Sequence, residues 1–423
     1  MSDTSSIYTP ARGSHADISD RGSACSLGVR LCHFHGTPFS YNAAISFLET
    51  GNLIRFHTSI YAPVGSRKRF NPALPKRCVS QHPLWEALRL AATRLPLKKW
   101  NGQQQWFVDL VCRKFDETSA AVLQKNDGAV YCYEDSADLT FRRAKDMGVR
   151  RIYELPIMHY REMQRLFQPE VDRYPELSRF FQSFREPQWK LEQKDRELAE
   201  AEVIVVPATF VRRSIEHFHT LKARFVVAPY GADTSAEVKR WTKADADGPL
   251  RLIFVGGIGP RKGVHLLFEA LSKLRPGACH LTLVGRWDLG YQEWLESRYP
   301  INYEWLGPLG KDEVNAAYRK SHVLVFPSLA EGFGLVITEA MASGIPVITT
   351  ERSGGLNIID EGKDGWIVEA GDPEAIRSRI EYLLDNRSTL PEVASAARRK
   401  AEFYSWERYR RTLREGVEAA LRA

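Results

Sequence analysis

The chain has 423 residues, 43% hydrophobic and 26% charged, an ordinary globular composition that at ~100–200 residues per domain predicts two or three folded domains. Six cysteines at 25, 32, 78, 112, 132 and 279 make no Cys-x-x-Cys pair, which speaks against a disulfide or zinc framework and for a reduced, cytoplasmic protein; the polar start is not a signal peptide, and no apolar run approaches the ~18 residues of a membrane helix. The net charge of +7 is concentrated in residues 51–100, where ten Lys/Arg face one acid, Glu86; the rest is close to neutral, which argues against a nucleic-acid binder.

In chain order, residues 1–25 read as a polar tail. Residues 28–36 read as a strand, 42–51 as a helix, 54–61 as a strand and 62–83 as a long Pro- and Lys/Arg-rich loop. A helix at 106–125 follows, then strands at 129–134, 150–156, 202–208 and 224–231, with helical patterns at 196–202 and 210–218. Residues 26–233 are therefore expected to form one α/β domain. The polar stretch 234–249 reads as a linker, and the Asp245-Ala246-Asp247 string inside it as solvated surface. From 250 to 405 the alternation is sharper: strands at 251–258, 280–286, 303–307, 323–328, 346–350 and 365–370 interleave with helices at 264–274, 291–297, 311–320, 334–344 and 373–386. Such alternation implies βαβ units and a parallel sheet. Residues 406–423 read as a final helix.

Two loops carry the chemistry. In AEGFGLVITEAMASGIPVI (330–348), Glu331 and Glu339 are separated by seven residues, with Gly332 and Gly334 just before a helix. Glycines let backbone approach a ligand, and a helix start offers free N–H groups and a positive dipole end to phosphate. Glu331 can accept from sugar hydroxyls and Glu339 from a ribose. Taken alone, the pair also fits a helix start flanked by two surface carboxylates. In FVGGIGPRKGVHLLFEAL (254–271), Gly256, Gly257 and Gly259 make a turn before Arg261 and Lys262. Two cations there suit a pyrophosphate whose charge grows as it departs. An ordinary tight turn with solvated bases has the same look.

The segment FPSLAEGFGLVITEAMASGIPVITT resembles the Glu-x7-Glu segment of family 4 glycosyltransferases, the retaining, group 1 type. Lys262-Gly263 resembles that family's phosphate-binding pair, although Gly257 stands where many relatives carry a first arginine; Arg261 is the candidate second cation. LTLVGRWD (281–288), residues 303–328, SGGLNIIDEGKDGWIVEAGD (353–372), RELAEAEVIVVPATFVRRSIEHF and VVAPYGAD (226–233) extend the resemblance over roughly 190–390.

The resemblance implies an α/β, GT-B fold: two Rossmann-like domains facing across a cleft, with 406–423 crossing back to the first. It implies transfer of a hexosyl group, with retention, from a nucleotide-diphosphate sugar to a sugar, glycan or lipid-linked acceptor, in polysaccharide or glycoconjugate synthesis and with no cofactor or metal. Glu331, Lys262, Arg261 and His159 are the implied catalytic residues. Gly256, Gly257, Leu306, Gly332, Phe333, Gly334, Leu335, Thr338 and Glu339 would bind donor. His35, Gly36 and Thr37, after the first strand, would border the acceptor or the phosphates. A sugar-nucleotide epimerase and a non-catalytic nucleotide-sugar-binding subunit are the alternatives. The basic residues between 55 and 99, mixed with Leu84, Trp85, Leu88 and Trp100, raise the expectation of docking on an anionic membrane surface at the cytoplasmic face.

Overall fold

The computed structural model describes residues 27–61, 71–92, 101–235 and 237–422. Two parallel sheets organise them. The first contains β1 (Val29–Cys32), β2 (Leu53–Thr58), β3 (Val79–Gln81), β4 (Ala129–Tyr133), β5 (Arg150–Glu154), β6 (Val203–Val206) and β7 (Arg224–Val227) in the order β3-β2-β1-β4-β5-β6-β7. The second contains β8 (Leu250–Val255), β9 (Cys279–Val284), β10 (Tyr303–Trp305), β11 (Val323–Phe326), β12 (Val347–Thr350) and β13 (Trp366–Val368) in the order β10-β9-β8-β11-β12-β13. The central strands VRLC, AVYCY, VIVV and VLVF are buried at every position. That is the signature of strands covered by helices on both faces.

Strand order reverses between β1 and β4 in one sheet and between β8 and β11 in the other. Open α/β sheets bind ligands at the carboxyl ends of strands where the order reverses. In the second sheet those ends lead into the Gly256–Lys262 turn and into Glu331.

One set of contacts between the two halves runs along an edge. The helix Tyr160–Arg173 and the turn after it reach the second domain through Glu170 to His265 at 2.8 Å, Arg173 to Glu269 at 2.9 Å and Tyr174 to Tyr299 at 2.7 Å. Trp294 Nε1 also donates to Glu176 Oε1 at 2.8 Å. The C-terminal helix Trp406–Arg422 packs on the helix Pro38–Leu48, where Arg410 Nε donates to Glu49 at 2.7 Å and Arg414 to the Ser46 carbonyl at 3.0 Å. The chain thus crosses back onto its first domain.

Three expectations need correction. Residues 76–81 are not loop: a 3-10 turn at Lys76–Cys78 leads into β3, which pairs with β2. A three-residue edge strand carries too little alternation to be seen by pattern. The helices Asp138–Met147 and Tyr160–Arg173 were not anticipated. Asp245 is buried, not solvated. Its Oδ1 faces Lys239 at 2.9 Å, Arg251 at 2.5 Å and His322 at 3.1 Å, and its Oδ2 accepts from the Thr242 N–H at 2.8 Å. Burial opposes its charge, but these donors hold the carboxyl below its ordinary range.

Candidate functional site

Lys262 ends the one-turn segment Pro260–Lys262 after β8, and Gly263 turns the chain into the helix Val264–Ser272. Its ammonium is ion-paired with Glu331 and lies 4.9 Å from the centre of the Phe326 ring. Arg261 approaches the same carboxylate at 3.5 Å and donates to the Ala330 carbonyl at 3.0 Å. The two loops that the sequence singled out therefore meet, although about 70 residues of chain separate them. Burial, and then the adjacent Arg261 charge, pull the Lys262 pKa well below that of an ordinary lysine. A second anion beside Glu331, within reach of both cations, would relieve that penalty further.

Glu331 is held by its own main chain. Its N–H donates to the Arg352 carbonyl at 3.0 Å, and its Oε1 accepts from the Gly332 N–H at 3.0 Å. Gly332 lies hard against the first domain: a Cβ there would stand 1.7 Å from the Pro156 carbonyl oxygen, in the turn after β5. Gly334, at φ 80°, caps the helix Leu335–Ala342. The first N–H groups of that helix have no partner within it.

The other donor-side residues fall around this centre. Gly256 closes β8 by donating to Val284 O at 2.9 Å, and Gly257 has open space where a side chain would stand. Leu306 is exposed beside β9, its N–H bonded to Leu283 O at 3.0 Å. Glu339 lies one turn into the helix. Its carboxyl is pushed up by burial and by the nearby Asp233 charge, and Lys311 opposes them. Lys311 and Asp233 are themselves paired. Phe333 is buried and packs edge-on to Tyr230 at 5.4 Å. The Thr338 hydroxyl is buried and donates to the Leu335 carbonyl at 3.0 Å. A contact from Phe333 or Thr338 to a donor would come from main chain, not side chain; Leu335 opens the helix beside them.

On the first domain, His35 is exposed, with its ring 5.3 Å from that of buried His33. Gly36 is buried against Tyr41, and Thr37 caps the helix Pro38–Leu48 through Ser40. One residue further on, Phe39 stacks on Tyr230 at 5.0 Å. Phe39, Tyr230 and Phe333 form a column that joins this turn to the Glu331 loop. Tyr230 is fixed by donating its hydroxyl to buried Glu154 at 2.7 Å.

The side-chain contacts of His159 lie within the first domain. Its imidazole is buried against Asp195 and His219, each at 3.3 Å, because the turn after β5 runs straight into the helix Tyr160–Arg173. Sequence reading also missed Pro156, Tyr230, Asp233 and Lys311. Only the PYGAD run (229–233), part of the segments that carry the resemblance, could have signalled two of them.

Residues 235–401 match the family model "Glycosyl transferases group 1". The chain is 36% identical over 171 residues to sulfoquinovosyl transferase SQD2 of Arabidopsis thaliana, covering 40% of this chain and 32% of that protein. It is 28% identical over 256 residues to a D-inositol 3-phosphate glycosyltransferase of Geodermatophilus obscurus, covering 53% and 54%. The chain spans between about a quarter and about half of the curated relatives it matches. By fold it is similar to sucrose-phosphate synthase from Thermosynechococcus elongatus, with TM-score 0.67, 17% identity, and coverage of 93% of this chain and 99% of that one. It is also similar to Anabaena HepE in complex with UDP and glucose, with TM-score 0.61, 14% identity, and coverage of 93% and 100%. Two Rossmann-like sheets and a C-terminal helix that returns to the first of them make a GT-B fold, and residues 235–401, most of its second domain, match the glycosyl transferases group 1 family model.

Proposed function

We propose that this protein is a retaining glycosyltransferase that moves a hexosyl group from a nucleotide-diphosphate sugar to a sugar, glycan or lipid-linked acceptor. The observation that carries the reading is the convergence of Lys262, Arg261 and Glu331 beside the start of the helix Leu335–Ala342, at the reversal point of the second sheet. The printed names of the relatives, a sulfoquinovosyl transferase and a D-inositol 3-phosphate glycosyltransferase, support sugar transfer. The UDP and glucose in the HepE complex make UDP-sugars the first donors to try.

In this reading the diphosphate sits on Lys262, Arg261 and the helix N–H groups. The bond between the anomeric carbon and the β-phosphate oxygen breaks, and the acceptor oxygen bonds to the anomeric carbon from the same face. The acceptor proton passes to the departing phosphate. Lys262 and Arg261 stabilise the charge that grows on the leaving group, Glu331 orients the sugar, and Glu339 holds the ribose.

The test is a screen of nucleotide sugars by thermal shift, with products identified by mass spectrometry and the new anomeric configuration by NMR. Lys262→Ala is expected to lower kcat by about 10²-fold, the effect of deleting one leaving-group stabiliser, with the fold intact. An unchanged kcat overturns the assignment. Release of a free epimerised nucleotide sugar would make the protein an epimerase, and binding without turnover a nucleotide-sugar-binding subunit.

We further propose that it reaches a lipid-linked acceptor by docking on an anionic membrane surface. No helix among the described residues is long and apolar enough to cross a membrane. The helix Pro83–Ala92 exposes Leu84 and Leu88, four residues apart, and buries Glu86. Arg55, Lys76 and Arg77 lie upstream of it; Arg67, Lys68, Arg69, Arg94, Lys98 and Lys99 fall outside the described residues. Each cation near such a surface contributes about 1 kcal/mol. Co-sedimentation with anionic vesicles is expected at low salt and is lost at high salt. Indifference of the protein to anionic vesicles at low salt would leave a soluble acceptor.

A further inference from the structure

His159, Asp195 and His219 come from three separate segments: the turn after β5, the helix Gln188–Glu200 and the turn after the helix Thr209–Glu216. Among the described residues they form the one group of three or more His, Cys, Asp or Glu side chains placed to surround a metal ion. His159 Nε2 lies 3.3 Å from Asp195 Oδ1, His219 Nε2 lies 3.3 Å from the same oxygen, and the two imidazole nitrogens are 3.3 Å apart. Three equal edges make an equilateral triangle of donor atoms. One face of a tetrahedron built on bonds of ~2.0–2.1 Å has edges of roughly 3.3 Å, and those are the bond lengths of zinc to imidazole nitrogen and carboxylate oxygen.

The surroundings orient the donors. Asp195 spends its Oδ2 on Arg161 at 2.6 Å and on the Tyr160 hydroxyl at 3.0 Å, which turns Oδ1 toward the imidazoles. The His159 N–H donates to Ser214 Oγ at 3.0 Å and fixes the turn that carries the ring. His159 is fully buried, while Asp195 and His219 are partly exposed and give an ion a way in. Outer hydrogen bonds such as those on Asp195 set the direction of first ligands in metal sites. Two imidazoles and one carboxylate, with no sulfur, suit zinc and its borderline neighbours better than the all-oxygen ions.

We infer that His159, Asp195 and His219 form a binding site for a divalent transition-metal ion, zinc foremost, with its fourth position open to water. The ion would tie the turn after β5 to the helix Gln188–Glu200 and to the turn after the helix Thr209–Glu216. That turn carries Pro156, whose carbonyl lies against Gly332. The site shares no residue with the Lys262 and Glu331 group, and the inference does not depend on sugar transfer.

The test uses the full chain, stripped with a chelator and titrated with Zn²⁺ by calorimetry and with Co²⁺ by visible absorption. One ion per chain is expected, with the ligand-field bands of a four-coordinate cobalt site and a rise in melting temperature on metal addition. His219→Ala and Asp195→Asn are each expected to weaken binding by more than the roughly 10–100-fold that outer partners command. His217→Ala, whose ring faces Glu162 instead, is expected to bind as the wild type does. Should His219→Ala melt early, Asp195→Asn carries the comparison, since it keeps the side-chain shape. Absence of stoichiometric binding in the wild type, or equal binding by wild type and both ligand variants, overturns the proposal.

Discussion

Glu331 and Glu339 share a helix start but have different neighbours, and so different expected losses. Glu331 is tied to Lys262 and Arg261, beside the proposed reacting centre. Glu331→Gln is expected to depress kcat, because its contact aligns the sugar as the bond breaks. Glu339 stands one turn away, near the Asp233 and Lys311 pair. Glu339→Gln is expected mainly to raise KM, because a ribose contact changes little between ground and transition state. Steady-state kinetics on both variants checks this, and the reverse pattern would mean the roles are exchanged. Both carboxylates, Gly332 and Lys262 were legible because each belongs to a short loop whose spacing is itself the signal. Pro156 and Tyr230 were not, because they act on that loop from the other domain and nothing local marks them. His159 shows another limit of local reading. A histidine after a strand looks like a cleft residue, but its partners Asp195 and His219 lie 36 and 60 residues further on.

The segment 237–248 is mostly polar, and its Asp245-Ala246-Asp247 string reads as solvated, since composition does not reveal which charge will be enclosed. Lys239 donates its N–H to the Ser343 carbonyl and Trp241 its indole N–H to that of Gly344, at 2.9 and 3.2 Å, so the segment is strapped to the second domain. Asp245 then takes Lys239, Arg251 and His322. Removing one member of such a buried group leaves its partners uncompensated. Asp245→Ala is therefore expected to destabilise the protein by about 3 kcal/mol. Asp247→Ala, on the exposed side, is expected to stay within about 0.5 kcal/mol. Urea denaturation of the two variants checks the contrast; equal midpoints would mean the cluster does not stabilise the fold. The long strands and the βαβ rhythm were legible, and β3 and the helix Asp138–Met147 were not. The helix has only Thr140, Phe141 and Ala144 buried, too short an apolar stripe to stand out from loop.

Across the whole molecule, several histidines are enclosed as neutral rings. Burial, with His82 and Arg30 nearby, brings His57 down to about 3, and burial with Arg251 and Lys239 brings His322 down to about 4. His33 is also lowered, by burial and by His35. These are bases whose folded pKa lies below the unfolded value of roughly 6.5, so the unfolded chain takes up protons first as acid is added. Their contribution is complete above about pH 6.5 and is lost as pH falls toward 4 and 3. Each group accounts for at most about 1.4 kcal/mol per pH unit. The melting temperature is expected to drop steeply over that window and His57→Phe to flatten the drop; the same slope in variant and wild type would remove His57 from the account. A different consequence follows from Pro156. Its carbonyl stands where any side chain at 332 would be, so one domain roofs the loop that the other offers to a ligand. A molecule as large as a nucleotide sugar is expected to enter and leave when that roof lifts. The pace of turnover would then be kept by how often the two halves part company, and the ties along the Tyr160–Arg173 edge would act as the spring of that clock.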